Sequence, residues 1–260
     1  MKKALQASKP KDRIIVALDV DSIEKAASLV GLLREHVGGF KIGLQLTLLM
    51  FSMSFAPIRE DEALENFRKI RRFFSMFDRG QLFWDLKFHD IPQTIAGAAK
   101  SIQAMQVCMF NVHASAGIGG MRAAVANRSE SLALAVTVLT SFEENNAHLI
   151  FGNPTKASVL QFARDAKYVG MDGIVCSPQE LDLLGGEPEL DSLLKVTLGI
   201  RDANAQPDDQ KRTMTAAEAI VAGAHFLVIG RPITGAGDCV AAAKKFTTQI
   251  AGALEGKKAA

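Results

Sequence analysis

A single (β/α)8 barrel is the fold this sequence predicts, and three observations carry it. Eight short apolar runs each precede an amphipathic segment. The unit recurs about every 30 residues, as strand–helix–strand units require. No linker or composition shift divides the 260 residues, and 48% of them are hydrophobic, enough for one large core. Charged residues gather at the carboxyl ends of the runs, where such barrels build their sites. A doubly wound sheet fits the alternation too, but it needs no eighth strand. The expected organisation is a short polar tail at 1–12, a catalytic barrel over 13–254 and a tail at 255–260.

The elements follow in order. Residues 13–20 (RIIVALDV) are β-rich and carry Asp19. Asp21 or Ser22 can cap a helix through His36, whose stripe is Ile23, Ala26, Leu29, Val30 and Leu33. Gly38 and Gly39 are read as its stop. Residues 40–44 make a short strand with Lys41, and 59–77 an amphipathic helix. Between these two, 45–57 lacks clean periodicity and fits a second short helix. The third strand leads into a helix with the stripe Ile91, Ile95, Ala98, Ile102 and Met105. Strand 109–115 is followed by a glycine turn at 117–120 and a short helix at 121–127. Strand 131–139 ends at Thr140, and a polar loop at 143–153 leads to a helix at 155–169. Strand 173–176 ends at Ser177 and Pro178, and a helix follows near 179–184. Strand 193–200 ends at Arg201, and 202–212 is a long polar loop. The helix at 215–222 opens with a capping box, Thr215 to Glu218. Strand 225–229 ends at Gly230 and Arg231, and a helix at 238–254 closes the chain.

Bulk properties exclude several classes. A net charge of +2 and the lack of a long basic run argue against a nucleic-acid surface. Residues 1–13 are polar and basic, without the apolar stretch of a signal peptide. The longest apolar run, 44–58, is too short and too polar to span a bilayer. Cys108, Cys176 and Cys239 are widely spaced in apolar surroundings and read as reduced core thiols of a cytoplasmic protein.

The chemistry concentrates at Asp85, Lys87 and Asp90, spaced D-x-K-x-x-D where the third strand gives way to its helix. Alternation sends Asp85 and Lys87 to the face of Phe83, with Leu82, Trp84 and Leu86 on the other. Charges inside a buried parallel sheet are costly unless paired. Asp85 and Lys87 can be a structural ion pair, and Asp90 can be a helix N-cap with Pro92 in the first turn. Asp85 and Lys87, together with Asp19 and Lys41, put two carboxylates and two ammonium groups around one cavity. Alternating signs keep each other ionised and hold a proton-donating lysine in place. Gly230 and Arg231 read as a phosphate site, the glycine allowing close approach and the arginine giving forked donors. His113 reads as a residue of the core or behind the site rather than a base.

The run Asp85-Leu86-Lys87-Phe88-His89-Asp90-Ile91-Pro92-Gln93-Thr94 resembles the signature of orotidine 5′-phosphate decarboxylase, bacterial type. The likeness continues with VALDV around Asp19, FKIG around Lys41, NVHAS at 111–115, VTVLTS at 136–141, GIVCSP at 173–178, DDQKR at 208–212 and VIGRPIT at 228–234. The resemblance implies cofactor-free, metal-free decarboxylation of orotidine 5′-phosphate to uridine 5′-phosphate, the last step of pyrimidine nucleotide synthesis. By motif, Lys87 is the proton donor to ring carbon 6 and Asp85 the neighbour of the leaving carboxylate. Lys41 and Asp19 hold the ribose hydroxyls and the charge network. Asp90 and Thr94 reach the neighbouring subunit's site, which makes a homodimer with shared sites. Thr140 touches the pyrimidine, and Gln210, Gly230 and Arg231 the phosphate side. Pro178 and Arg201 join the substrate-binding set, and 202–212 becomes a lid.

Three features depart from the pattern. Leu198 and Asp202 stand where prolines flank G-I-R, the segment from Lys41 to Asp85 is long, and Trp84 replaces an aliphatic residue. Rival readings are a metal-dependent sugar-phosphate relative, whose second strand carries a glutamate where this chain has Lys41, and a non-catalytic phosphate-binding barrel.

Overall fold

Runs of Val, Ile, Leu and Phe buried on both faces form parallel strands, because helices cover one side and the barrel interior the other. The computed structural model describes residues 8–55, 59–78, 80–142, 144–202 and 213–259. Its strands are β1 Ile14–Ala17, β2 Gly39–Gly43, β3 Leu82–Phe88, β4 Met109–His113, β5 Leu132–Val136, β6 Gly173–Cys176, β7 Leu194–Thr197 and β8 Phe226–Ile229. Each pairs in parallel with the next, and β8 returns to β1, so the sheet closes into the expected barrel.

Side chains alternate cleanly across this sheet. Ile15, Ala17, Phe83, Met109, Leu134, Val136, Val175, Val196, Phe226 and Val228 fill the barrel interior. Their neighbours Ile14, Val16, Phe40, Ile42, Trp84, Phe110, Ile174, Leu227 and Ile229 face outward under the helices. Those helices are α1 Ile23–Leu33, α2 Leu44–Phe55, α3 Glu60–Phe74, α4 Pro92–Gln103, α5 Gly117–Ala126, α6 Glu144–Phe151, α7 Thr155–Val169, α8 Leu181–Gly185, α9 Ala216–Val221, α10 Arg231–Thr234 and α11 Cys239–Ala259. Ser22 caps α1 by accepting from Lys25 N, and Thr215 with Glu218 forms the capping box of α9. The long segment between Lys41 and Asp85 is a doubled helix, α2 followed by α3. Phe73 of α3 and Phe77, just beyond it, meet edge to face, and Phe77 meets Phe40 of β2 the same way.

Several local expectations change. Gly38 and Gly39 do not stop α1, which ends at Leu33. They allow close approach instead: a Cβ at Gly38 would lie 2.1 Å from Asp12 O, and one at Gly39 2.7 Å from Gln81 O. The glycines at 117–120 are the first turn of α5, not a separate turn. Their small size lets α5 press on α4, where a Cβ at Gly120 would meet Ile95 Cδ1 at 2.9 Å. The polar segment 143–153 contains α6, seated by buried Ala147. Residues 255–259 continue α11 rather than forming a tail. Cys108 and Cys176 are buried thiols, whereas Cys239 is partly exposed at the start of α11. Among the described residues no helix is long and apolar enough to cross a membrane.

Candidate active site

The carboxyl ends of the strands open into a cavity of about 520 Å³. Asp19, Lys41, Asp85, Lys87, Thr140, Arg201, Gly230 and Arg231 line it. These come from both halves of the chain and from six of the eight strand ends, so barrel closure brings them together.

At the cavity floor the charges form a chain. Lys41 Nζ lies 3.0 Å from Asp19 Oδ1 and 3.2 Å from Asp85 Oδ2. The other oxygen of that carboxylate, Asp85 Oδ1, accepts from Lys87 Nζ at 2.7 Å. Burial differs sharply along it: the side chains of Lys41 and Asp85 are 6% and 4% exposed, those of Lys87 and Asp19 29% and 54%. Burial alone pulls the Lys41 ammonium down, but the Asp85 and Asp19 charges outweigh it and leave its pKa raised. Burial likewise pushes the Asp85 carboxyl up, and the two lysines with their hydrogen bonds more than reverse that. Both groups are therefore charged at neutral pH. Gly43 makes room for this chain, because a Cβ there would sit 3.1 Å from Lys41 Nζ and 3.3 Å from Asp19 Oδ1.

The third strand is not a plain alternating one. Trp84 pairs with Phe110 and Phe88 with Val112, so β3 takes four residues where β4 takes two. This bulge puts Lys87 at φ 51°, a left-handed conformation that costs energy in a residue with a Cβ. The displaced Lys87 N–H donates to Asn111 Oδ1 at 2.7 Å. The same amide donates through Nδ2 to Asp85 Oδ1 at 2.6 Å. Fully buried Asn111 thus holds the proton-donor candidate by its backbone and the central carboxylate by its side chain. It is the site residue that sequence reasoning missed. Its one signal is inward parity on β4, two residues before His113.

Other residues sort by position. Asp90 is exposed and its Oδ1 accepts from Ile91 N at 2.7 Å. The N-cap of α4 is Ile91, without a side-chain cap bond, so Asp90 is not the cap. Thr94 is exposed on the first turn of α4, and neither it nor Asp90 lines this chain's cavity. Pro178 is buried in a short 3-10 turn and is not among the residues that line this cavity. Gln210 and residues 203–212 of the expected lid lie outside the described residues. The base of that loop is pinned: Arg201 N donates to Met214 O at 3.0 Å, and Asp202 pairs with Lys245 of α11 at 2.9 Å. At the eighth strand end Gly230 adjoins Arg231 and Thr234 of α10, and a Cβ at Gly230 would only touch Ala17 at 3.6 Å. Its role there is open space rather than relief of a clash. His113 stacks edge on against His89 at 5.4 Å, and burial, His89 and Lys87 keep its pKa low.

Comparison with known proteins decides the family. The profile of the Orotidine 5'-phosphate decarboxylase / HUMPS family matches residues 12–246. The chain belongs to this family. An orotidine 5'-phosphate decarboxylase from Heliobacterium modesticaldum is 40% identical over 256 residues, covering 94% of this chain and 98% of that protein. One from Moorella thermoacetica is 38% identical over 253 residues, covering 92% of each. Among solved structures, orotidine 5'-phosphate decarboxylase from Lactobacillus acidophilus superposes with a TM-score of 0.69 at 30% identity, covering 91% of this chain and 98% of that one.

Proposed function

We propose that this chain decarboxylates orotidine 5′-phosphate to uridine 5′-phosphate with its own side chains alone. The observation that carries this reading is the position of Lys41. Its ammonium fills the gap between Asp19 and Asp85, the place where a cation bound by both carboxylates would otherwise sit. A fixed positive charge there repels a metal ion, which disfavours the metal-dependent rival. Lys87 points a second ammonium at the same carboxylate and keeps an exposed side toward the cavity.

The chemistry follows from that placement. Arg231 and Gly230 hold the phosphate at the eighth strand end, and Asp19 and Lys41 take the ribose hydroxyls. Thr140 touches the pyrimidine, and Arg201 with Gln210 closes the binding set. The substrate carboxylate then lies beside ionised Asp85, whose repulsion is relieved as carbon dioxide leaves. The C6–carboxyl bond breaks, its electron pair stays on C6, and Lys87 supplies the proton that completes the ring C–H. The ammonium also balances the developing negative charge before the transfer. Lys87 regains its proton from solvent through its exposed side.

The proposal includes a homodimer with shared sites. Asp90 and Thr94 are exposed beside Ile91, which is 65% exposed, and none of the three is used by this chain's own cavity. A second copy seated there would receive the Asp90 carboxylate into its network. A cytoplasmic location belongs to the same reading, on the strength of three cysteines held as free thiols.

The test is incubation of the purified chain with orotidine 5′-phosphate in excess chelator, following loss of substrate absorbance. Undiminished turnover is expected. Turnover that appears only on adding a divalent cation favours the sugar-phosphate relative, and a folded chain that binds substrate without turnover favours a ligand-binding barrel.

A further inference from the structure

A second group of charges gathers at the opposite end of the barrel. Arg13 immediately precedes β1, His225 immediately precedes β8, and Lys195 is the second residue of β7. In a parallel barrel these positions share the amino-terminal rim, away from the active site. Lys257, near the end of α11, adds its positive charge from the helix layer. Lys257 suits the negative end of its own helix, and Arg13 closes a 3-10 turn at Pro10–Arg13, but Lys195 and His225 sit on no helix and need another reason.

Hydrogen bonds knit the rim together. Arg13 Nη1 donates to His225 O at 3.1 Å. Lys195 N donates to His225 Nδ1 at 3.0 Å, and His225 N returns a bond to Lys195 O at 2.9 Å. Because Nδ1 accepts, the neutral ring carries its proton on Nε2, a donor with no acceptor among the described residues. Burial first, then the charges of Lys195, Arg13 and Lys257, holds this imidazole neutral, with its pKa pushed down to about 4.

Among the described residues, acceptors are what the rim lacks. Lys195 is only 5% exposed and forms no ion pair with a described residue. Arg13 Nε is buried without a hydrogen-bond partner. The neighbouring acids are committed elsewhere: Asp12 Oδ2 accepts from Ser8 and Lys9, and Asp172 Oδ2 takes Arg128 and the Ala133 N–H. Burying an ammonium without a counter-charge is expensive, and so is an orphaned guanidinium N–H. Neighbouring donors that find no acceptor among the described residues are what a tetrahedral oxyanion satisfies.

We propose that the amino-terminal rim of the barrel, at Arg13, Lys195 and His225, binds a phosphate or sulfate group. The site is separate from the phosphate end of the active site, since β1, β7 and β8 run their whole length between them. The chemistry suits inorganic phosphate and a phosphomonoester alike.

The test uses the full chain labelled with 13C at histidine Cε1, at neutral pH. The five histidines give five signals, and His225→Gln assigns the one of interest. Inorganic phosphate, sulfate and methyl phosphate are titrated in turn against chloride at matched ionic strength. A saturable shift of the His225 signal with an oxyanion, absent in chloride, is expected. The tighter of inorganic and methyl phosphate names the source. Lys195→Met, which keeps the packed stem, should weaken that binding at least tenfold while decarboxylation stays unchanged. Arg13→Gln serves the same purpose where Lys195→Met does not fold. A shift that rises linearly and equally with every salt overturns the site, as does an unchanged affinity in a folded Lys195→Met or Arg13→Gln protein.

Discussion

Replacing Asn111 with alanine removes two bonds at once, and their geometry sets the size of the effect. The bond to Asp85 Oδ1, at 2.6 Å, is charge-assisted, and one of that kind contributes about 1.5–3 kcal/mol. The bond to the Lys87 N–H, at 2.7 Å, relieves a donor stranded by the bulge, and orphaning it costs about 1–3 kcal/mol. If roughly 3–4 kcal/mol of this is felt in the transition state, kcat falls about 10²- to 10³-fold, at 1.36 kcal/mol per decade. KM should change little, because Gly230 and Arg231, the proposed phosphate contacts, are untouched. Steady-state decarboxylation on a variant with native circular dichroism measures both. Asn111→Asp gives an independent handle. It sets a second carboxylate against Asp85, and like charges that close cannot both ionise. Its activity should therefore gain a new dependence on pH near neutrality. A folded Asn111→Ala protein with kcat within about threefold of wild type would show that the amide holds neither Asp85 nor Lys87 for the reaction.

Further outcomes follow from the same geometry. Lys87→Ala should abolish nearly all turnover while the unfolding midpoint stays near wild type, since its side chain is partly exposed and packs little; near-normal kcat excludes it as the proton donor. Lys41→Met leaves Asp85 with one cation and should cost about 3 kcal/mol in denaturant unfolding. Asp85 is depressed, so its share of stability is lost only as pH falls through its lowered pKa, and Lys41 is raised, so its share is lost only as pH rises through its elevated one. The stability gap between wild type and Lys41→Met should accordingly be flat from about pH 5 to 10. Lys87→Ala and Asp90→Asn chains, each nearly inactive, should recover up to about half of wild-type activity per heterodimer when mixed, because one site then carries both defects and the other neither; heterodimers without recovery contradict sharing. Gly38→Ala forces a Cβ against Asp12 O and should lower stability by about 1–3 kcal/mol in thermal or urea melts.

What the sequence made legible was decided by contrast with surroundings. Asp85 and Lys87 stand out because a charge in an apolar strand has no cheap explanation, and the barrel was readable from eight repeats of one pattern. Asn111 was not, because a neutral amide in an apolar strand carries no such contrast and its importance comes only from the bulge opposite. The bulge itself was hidden, since two extra residues preserve the parity that a strand pattern records. Glycines at 117–120 and polar residues at 144–151 resemble loops in composition, yet packing against neighbours makes both helical. Asp90 resembles a cap by spacing, and only its actual bond, from Ile91 N, shows that it does not cap α4.

Trp84 is the protein's one tryptophan, and its indole sits on the outside of β3, stacked on Phe74 of α3 and donating to Thr47 of α2 at 3.0 Å. Its emission is thus a gauge of the doubled helix, not of the catalytic floor on the other face of the same strand. Fluorescence will register the moment α2 and α3 lift from the barrel, and will stay nearly blind to a nucleotide entering its mouth. A melt read by tryptophan and one read by loss of turnover therefore time two different events, and any interval between them is the lifetime of a barrel that has shed its added helices but still works.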